Sequence, residues 1–452
     1  MSPAAPRATV VIVSYEGAHL LRTCLPALGR QELPGGFRTV VVDNASTDGT
    51  LALLAADFPY VDVIANTDNR GFAGGNNSAL RHVTTDLVVL LNNDARPEPG
   101  WLAALLAPFD APGGDRVGVT TGKVVFAPRF LRLPLVSPGF SPGPADPREL
   151  GVRITRVEVD GTDVTEGVLW DRVSWGTERH GDDVWRWTRP SGELLVPVPD
   201  GASPRALTLT WAAEAAKTVT VDGHPLAVAG TEPTPAVLEL DPRTRLVDVI
   251  NNVGGVVLAN GHGGDRGFEV VDDGRYDTPA EVFTACGNGM AMRTAAGREA
   301  GFFDESFFLY YEDTDLSWRL RARGWGIRYV PGAVLRHDHA ATSVAWSPRW
   351  LFHVDRNRLL MLTKVASPGL ALRVLAQYPL TTVVRPVRAF LRTRSLPALG
   401  PLRVTAKVLA SYLRLLPEML RKRREITRTA VVPRAELERQ LTPVEAWLER
   451  AA

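Results

Sequence analysis

Short apolar runs alternate with segments of helical spacing over the first 125 residues. "TVVIVSY" (9–15), "RTVVVDNASTDGT" (38–50), "VDVIAN" (61–66) and "DLVVLLNND" (86–94) each contain consecutive apolar residues, among them Leu87 to Leu91. Unbroken runs of this length, bounded by polar residues, predict strands buried on both faces. Between them, "HLLRTCLPALGRQ" (19–31) places Leu20, Leu21, Leu25 and Leu28 on one helical face, and "TLALLAADF" (50–58) and "NNSALRHV" (76–83) also read as helices. Strands alternating with helices at short spacing predict an α/β fold, a parallel sheet with helices on both sides.

Each predicted strand turns polar at its carboxyl end. Ser14 and Tyr15 end the first, and Asp43 and Asn44 the second. Residues 66–70 follow the third, and Asn92, Asn93 and Asp94 end the fourth. Ligands of open α/β sheets bind beyond the carboxyl ends of the strands, so these clusters are candidates for one binding edge. Asp43 can accept a hydrogen bond from a base N–H or a ribose hydroxyl. "NRGFAGGNN" (69–77), with Arg70, Gly71 and Gly75, reads as a glycine-rich turn entering a helix, where backbone N–H groups can approach an anion. It is neither GxGxxG nor a Walker A lysine motif, so the usual dinucleotide and P-loop readings fail. A plainer reading stays open for "NND": a polar turn, with Asp94 capping a helix suggested by "PEPGWLAALLA".

Further along, "YYEDTDLSWRLRARGWG" (310–326) predicts a helix ending near Gly324, with Glu312, Asp313 and Asp315 in its first turn. Acidic residues there suit the helix dipole whether or not they do chemistry. His337 and His339 follow the strand-like "IRYVPGAVLR". Residues 128 to about 247 interrupt the α/β pattern with short alternating segments such as "KTVTVDGHPLAV", a β-rich insert. Five of the eleven tryptophans, Trp170, Trp175, Trp185, Trp187 and Trp211, lie in it. They suit either stacking on a carbohydrate or filling a small core. Residues 346–452 read as helices.

The formal net charge of +1 is uninformative until it is divided. From Arg349 to the end there are 20 Lys and Arg against 7 Asp and Glu, a net +13, so the remainder sums to −12. Such asymmetry points the basic C-terminal part, above all "LRVTAKVLASYLRLLPEMLRKRREITR" (402–428), toward an anionic surface. A solvated charged face is the plainer alternative. Cys24 and Cys286 alone imply no disulfide framework and a reducing compartment. No signal peptide is read at the start, and Lys364, Arg373, Arg385 and Arg388 break the longest C-terminal apolar stretches, so no membrane-spanning helix is expected.

"VVIVSY", "VVVDNASTDGT", "NRGFAGGNN" and "LLNND", in this order, resemble family 2 glycosyltransferases of the GT-A fold, and most closely a bacterial subgroup of rhamnosyl- and galactofuranosyltransferases. The resemblance resumes over 283–343, "FTACGNGMAMRTAAGREAGFFDESFFLYYEDTDLSWRLRARGWGIRYVPGAVLRHDHAATS", and runs into "HVDRNRLLMLTK" (353–364). It implies a GT-A nucleotide-sugar-binding half (1–127), the insert (128–247), an acceptor and catalytic half (248–345) and a helical basic region (346–452). It implies an inverting transferase dependent on Mg²⁺ or Mn²⁺. "NND" stands where the family has its DxD-type motif, so Asp94 would hold the cation, with His337 or His339 beside it. Asn at the first position leaves one carboxylate in place of two. Ser14, Tyr15, Asp43, Asn44, Arg70, Gly71, Gly75, Asn92 and Asn93 would bind the nucleotide sugar. Glu312 and Asp313 match the "ED" motif, with Asp313 the general base and Asp315 structural. The implied donor is dTDP-rhamnose or a UDP-sugar. The implied acceptor is a glycan or polyprenyl-linked glycan of the cell envelope, at the cytoplasmic side with peripheral membrane contact and no nucleic acid partner. A sugar nucleotidyltransferase would carry a glycine-rich loop with Arg and Lys near its start, which "VVIVSYEGAHLLRTC" lacks. A non-catalytic glycan-binding descendant would be expected to lack Asp94 or Asp313, and both are present.

Overall fold

The strand Leu87–Leu91 divides its side chains between two cores. Leu87, Val89 and Leu91 enter one, and Val88 and Leu90 enter the other. Successive residues of a strand point to opposite faces, so only an unbroken apolar run can serve a sheet covered on both sides. In a computed structural model of the chain, the described residues are 6–144, 146–241, 243–338, 347–384, 387 and 400–451. His339, Arg385 and Arg388 lie outside them.

The strands of the main sheet run in the order Ala280–Glu281, Gly326–His337, Val117–Phe126, Gly289–Arg293, Leu87–Leu91, Ala8–Ser14, Phe37–Asp43, Asp62–Ala65. The last four are mutually parallel, as the alternating pattern requires. Gly289–Arg293 is antiparallel to both of its neighbours and places Gly289 opposite Leu91. Short strands Ile250–Asn252 and Ala95–Pro97 join Val117–Phe126 and Gly326–His337 respectively. With its insert and helical C-terminal region this is a GT-A type α/β architecture. It belongs to a unit of Met1–Ala127, Ile250–Phe268 and Asp273–Ala451.

Two local expectations are corrected. The glycine-rich segment is mostly helix and not turn: only Asn69 and Arg70 precede the helix Gly71–Leu80, and all three of its glycines lie within it. A Cβ on Gly75 would lie 2.7 Å from Val13 Cγ1 and 2.9 Å from Asn44 Nδ2, so this glycine lets the helix lie close on the first strand. Asp94 caps no helix. The next helix is Trp101–Leu106, with Gly100 at its start, and Ala95–Pro97 intervenes as a strand.

The second unit comprises Pro128–Val249 and Glu269–Asp272. One antiparallel sheet of Ser174–His180, Asp183–Thr188, Arg153–Val159, Ala206–Ala212 and Thr234–Glu239, with Thr162–Asp163 beside it, shares a core with a second. The second contains Ser191–Val198, Arg129–Val136, Lys217–Val221 and His224–Val228. Trp211 is fully buried in that core and Trp170 packs against it. Trp175 is exposed with the Arg189 guanidinium 4.9 Å from its ring, Arg153 lies 5.4 Å from that of Trp185, and Trp187 meets Phe140 edge-on. The five tryptophans therefore do not act as one set.

The C-terminal helices are Pro348–Val365, Pro368–Pro379, Gly400–Thr429, Arg434–Glu438 and Val444–Ala451. They add a third apolar cluster to the first unit. Among the described residues no helix is long and apolar enough to cross a membrane.

Gly71 has φ +65°, and a Cβ there would lie 2.1 Å from the Phe308 carbonyl oxygen. Gly100 has φ +80° but nothing within 4 Å of an added Cβ. Gly100→Ala should therefore cost only the left-handed backbone penalty, about 1–2 kcal/mol. Gly71→Ala should cost distinctly more, because the backbone of the 308 loop must also move. Urea denaturation of the two variants measures this, and equal costs would contradict the close approach.

Candidate active site

The carboxyl ends of the parallel strands bring the three residues of "NND" to one edge, where each takes a different partner. Asn92 donates through Nδ2 to Asn288 Oδ1 at 2.9 Å, and its backbone N–H reaches the Asn288 carbonyl at 3.0 Å. Asn93 donates to Ser14 Oγ at 3.2 Å. Asp94 is 7% exposed, and its Oδ1 lies 3.3 Å from His337 Nε2. That oxygen is buried and, among the described residues, accepts no hydrogen bond. A buried carboxylate oxygen left without a donor is costly in a protein with no use for it.

His337 ends the strand Gly326–His337, level with Phe126 on one side and Ala95 on the other. Its Nδ1 is 3.3 Å from Asn288 Nδ2 and 3.3 Å from Asn251 Oδ1. If Nδ1–H donates to Asn251, the Nε2 lone pair is left facing Asp94 Oδ1. A carboxylate oxygen and an imidazole nitrogen side by side fit a divalent cation that takes its other ligands from a diphosphate and water. Among the described residues no group of three or more His, Cys, Asp or Glu side chains is placed to hold an ion alone.

Asp313 stands on the other side of the same turn. The helix Glu312–Ala322 follows two non-glycine residues at positive φ, Tyr310 at 69° and Tyr311 at 68°. Bulky residues rarely adopt that backbone. Asn357 stabilises it, donating at 2.8 Å to the carbonyls of Leu309 and Tyr310, while Tyr311 Oη accepts from the Gly263 N–H at 3.1 Å. The turn swings the first helical residues inward. Asp313 Oδ2 accepts from the Gly287 N–H at 3.1 Å, and Oδ1 accepts from the Thr314 N–H at 2.6 Å. Gly287 and Asn288 are consecutive, so one turn holds both the half-buried Asp313 and the Asp94–His337 pair.

Burial raises the Asp313 pKa, and the donated N–H groups of Gly287 and Thr314 oppose the rise. Glu312 is buried, with Oε2 unpartnered among the described residues. Burial first and the Asp313 charge second push its pKa well above the ordinary carboxyl range. Asp315 is fully buried in ion pairs with Arg319 and Lys364, each at 2.8 Å, which is a structural arrangement.

Asp43 is 1% exposed. Its Oδ2 accepts from the Ser46 N–H at 3.2 Å, whereas Oδ1 is buried and unpartnered among the described residues, leaving it available to a ligand donor. Asn44, Gly71 and Gly75 play a different part. Asn44 donates to the Gly71 carbonyl at 3.0 Å and accepts from Asn66 at 2.8 Å, holding the helix onto the sheet. Arg70 lies at the surface, paired to Asp68 at 3.3 Å, and Tyr15 is exposed.

The sequence reading passed over Gly287, Asn288, Asn251 and Asp265. Asp265 accepts from Asn252 Nδ2 at 2.6 Å and interacts electrostatically with both Asp313 and His337. The residue is exposed, but protein atoms crowd around its carboxyl. That desolvation, and then the charge of Asp313, push its pKa up to about 6. "CGNG" lay within a quoted motif and was the available signal for Gly287 and Asn288. Asp265 had none.

Residues 9–150 match the family described as Glycosyl transferase family 2, and residues 247–411 match Glycosyl transferase family group 2. The chain is 37% identical over 91 residues to the "Uncharacterized glycosyltransferase YfnE" of Bacillus subtilis (strain 168), covering 20% of this chain and 23% of that protein. It is 42% identical over 62 residues to the "N-acetylglucosaminyl-diphospho-decaprenol L-rhamnosyltransferase" of Mycobacterium tuberculosis, covering 14% of this chain and 20% of that protein. The chain thus spans less than a quarter of the length of either relative. Among solved structures, the mannosyltransferase PcManGT from Pyrobaculum calidifontis, in complex with GDP-Man and Mn2+, aligns at 16% identity and a TM-score of 0.39, over 94% of this chain and 86% of that one.

The Glu312 environment sets a pH dependence. A carboxyl whose folded pKa is raised adds stability that is fully present below its unfolded value, ordinarily 4.5, and is lost as the pH rises through the folded value. Glu312→Gln cannot ionise. Its thermal midpoint, compared with wild type, should therefore improve steadily as the pH rises from below 4.5 toward neutrality. Melts across that range test this. A difference that stays constant with pH, or that moves in favour of wild type as the pH rises, would overturn the raised Glu312 pKa.

Proposed function

We propose that this chain, which matches glycosyl transferase family 2 models over residues 9–150 and 247–411, is a member of that family and moves a sugar from a nucleotide-sugar donor onto a hydroxyl of a glycan or lipid-linked glycan, with inversion at the anomeric carbon. The observation that carries the reading is the turn at 286–288. Its Asn288 contacts Asn92 and His337, while the adjacent Gly287 N–H holds Asp313. Such a site addresses a leaving group on one side and an attacking hydroxyl on the other.

In this reading Asp43 Oδ1 accepts a hydrogen bond from the base or ribose of the donor. Asp94 Oδ1 and His337 Nε2 would hold Mg²⁺ or Mn²⁺, which would supply positive charge against the negative charge that grows on the nucleoside diphosphate as it leaves. Asp313 takes the acceptor proton as the hydroxyl oxygen forms the new bond to the anomeric carbon. The hydrogen bonds from Gly287 and Thr314 fix its carboxylate, and the raised pKa brings its basicity closer to the working pH. Glu312, neutral in these surroundings, adds no second charge beside the base. For the finer identity we propose an L-rhamnosyl or related donor and a polyprenyl-linked acceptor, supported by the similarity to the mycobacterial relative. Thermal stabilisation by a panel of nucleotide sugars, with and without Mg²⁺ or Mn²⁺, identifies the donor.

Asp94→Ala should abolish turnover and remove the cation-dependent part of donor binding, measured by titration calorimetry with and without Mg²⁺. Full transfer activity in excess chelator would overturn the cation's role.

Asp313→Asn keeps the shape and removes the proton acceptor. Donor affinity should stay within a few-fold of wild type while transfer falls by roughly 10²-fold or more. Near wild-type transfer by this variant, with Glu312→Gln inactive, would move the base to Glu312.

A further inference from the structure

The helix Gly400–Thr429 is built with two opposed faces. Thr405, Val408, Tyr412, Met419 and Ile426 are buried at three-, four- and seven-residue intervals. The apolar members pack into the cluster that also holds Leu359 and Leu362 of the helix Pro348–Val365. That face accounts for how the helix is attached. The outer face has a second regularity. Lys407, Arg414, Arg421 and Arg428 recur every seven residues, and all four are exposed. Seven residues are close to two helical turns, so the four line one stripe about 30 Å long. One position before two of them stand Leu413 and Leu420, 62% and 43% exposed. Arg424 lies on the same face, and the helix has two acidic residues, the exposed Glu425 and Glu418, whose 40% exposed side chain pairs with Lys422.

A merely solvated face would alternate charge signs and keep its leucines inward. Basic side chains beside outward leucines, outnumbering the two acids Glu418 and Glu425, suit an interface that is anionic at its surface and apolar just beneath. A cavity of about 360 Å³ opens along this helix, lined by Arg421 and Lys422 and, from other elements, Arg81 and Arg323. Of its three carboxylates, Asp304 is engaged by Lys364 and Lys422 and Glu305 by Arg81, and the third is Glu425. Arg323 lies near the like charge of Arg319, offset in part by Glu299 and Glu425. Arginines and lysines still outnumber carboxylates in the lining, six to three, which suits an anion.

We propose that the outer face of Gly400–Thr429 docks on an anionic lipid bilayer. Leu413 and Leu420 enter the headgroup boundary, the arginine stripe lies on lipid phosphates, and one headgroup is taken into the cavity beside Arg421. The helix lies along the surface and does not cross it. Nothing in this depends on Asp94 or Asp313, so it stands or falls apart from the catalytic reading.

Co-sedimentation of the full chain with phosphatidylglycerol–phosphatidylcholine vesicles, against phosphatidylcholine alone, tests it. Binding is expected only to the anionic vesicles, and it should be lost as salt rises from about 0.1 M to 1 M and the Debye length shrinks from about 10 Å to about 3 Å. Arg421→Glu combined with Arg424→Glu should weaken it at least thirtyfold or so, from about 1 kcal/mol per basic residue. Leu413→Ser combined with Leu420→Ser should weaken it while leaving every charge in place, which separates a bilayer from a nucleic acid. Melting curves check that the variants fold, and the wild-type salt titration serves if either does not. Equal binding to both vesicle types, binding to neither, or capture by duplex DNA that the leucine variant leaves unchanged would each overturn the proposal.

Discussion

A single antiparallel insertion organises the active edge. Gly289–Arg293 lies between Leu87–Leu91 and Val117–Phe126 and runs antiparallel to both. Because it runs backwards, its beginning and not its end lies at the edge where the parallel strands finish. The turn at 286–288 is thereby held against the end of Leu87–Leu91, with the Asn92 N–H on the Asn288 carbonyl at 3.0 Å. Without that pairing, Asn288 would not reach His337, nor would the Gly287 N–H meet Asp313. The helix Glu312–Ala322 and the strand Gly326–His337 bring their carboxylate and imidazole to a place this turn has already defined.

The carboxylates of the first unit fall into two kinds. Asp304 and Asp315 are buried and saturated: Lys364 bridges them, Arg319 completes Asp315 and Lys422 completes Asp304. Removing one partner from such a set leaves a buried charge uncompensated, so the group acts as a clamp between the catalytic helix and the C-terminal helices. Asp43, Asp94 and Glu312 are just as buried, but each has an oxygen that, among the described residues, accepts no hydrogen bond and, unlike the Asp315 oxygen beside Lys364, has no lysine or arginine paired to it. Burial alone would not tell the two kinds apart. What distinguishes them is whether the protein itself supplies the donor or cation, or leaves that place to a ligand. At Glu312, burial and the neighbouring Asp313 charge push the pKa up, which favours its neutral form.

The polar turns at the ends of the first four strands were legible from local pattern, because an apolar run buried on both faces must stop where the sheet stops. The helix at 312–322 and the basic amphipathic helix near the C-terminus were legible too, since period and charge are local properties. The glycine-rich segment misled. Its composition speaks of turns, yet Gly75 is there because Val13 and Asn44 leave no room for a Cβ, which is a fact about a neighbouring strand.

By itself the sequence determined the α/β class, the order of the strands' polar ends, the insert and the family resemblance. Each rests on residues close together in the chain or on motifs in a fixed order. Only the tertiary structure decided which polar residues face one another. Asn92 and Asn288 are 196 positions apart, and Asn251 reaches His337 across 86. It also separated Asp43, with a free oxygen, from Asn44, consumed in holding Gly71. It brought in Asp265, which no pattern marked. Hydrogen-bond satisfaction and desolvation depend on what surrounds a group from every side, and a linear pattern carries information about neighbours along the chain alone.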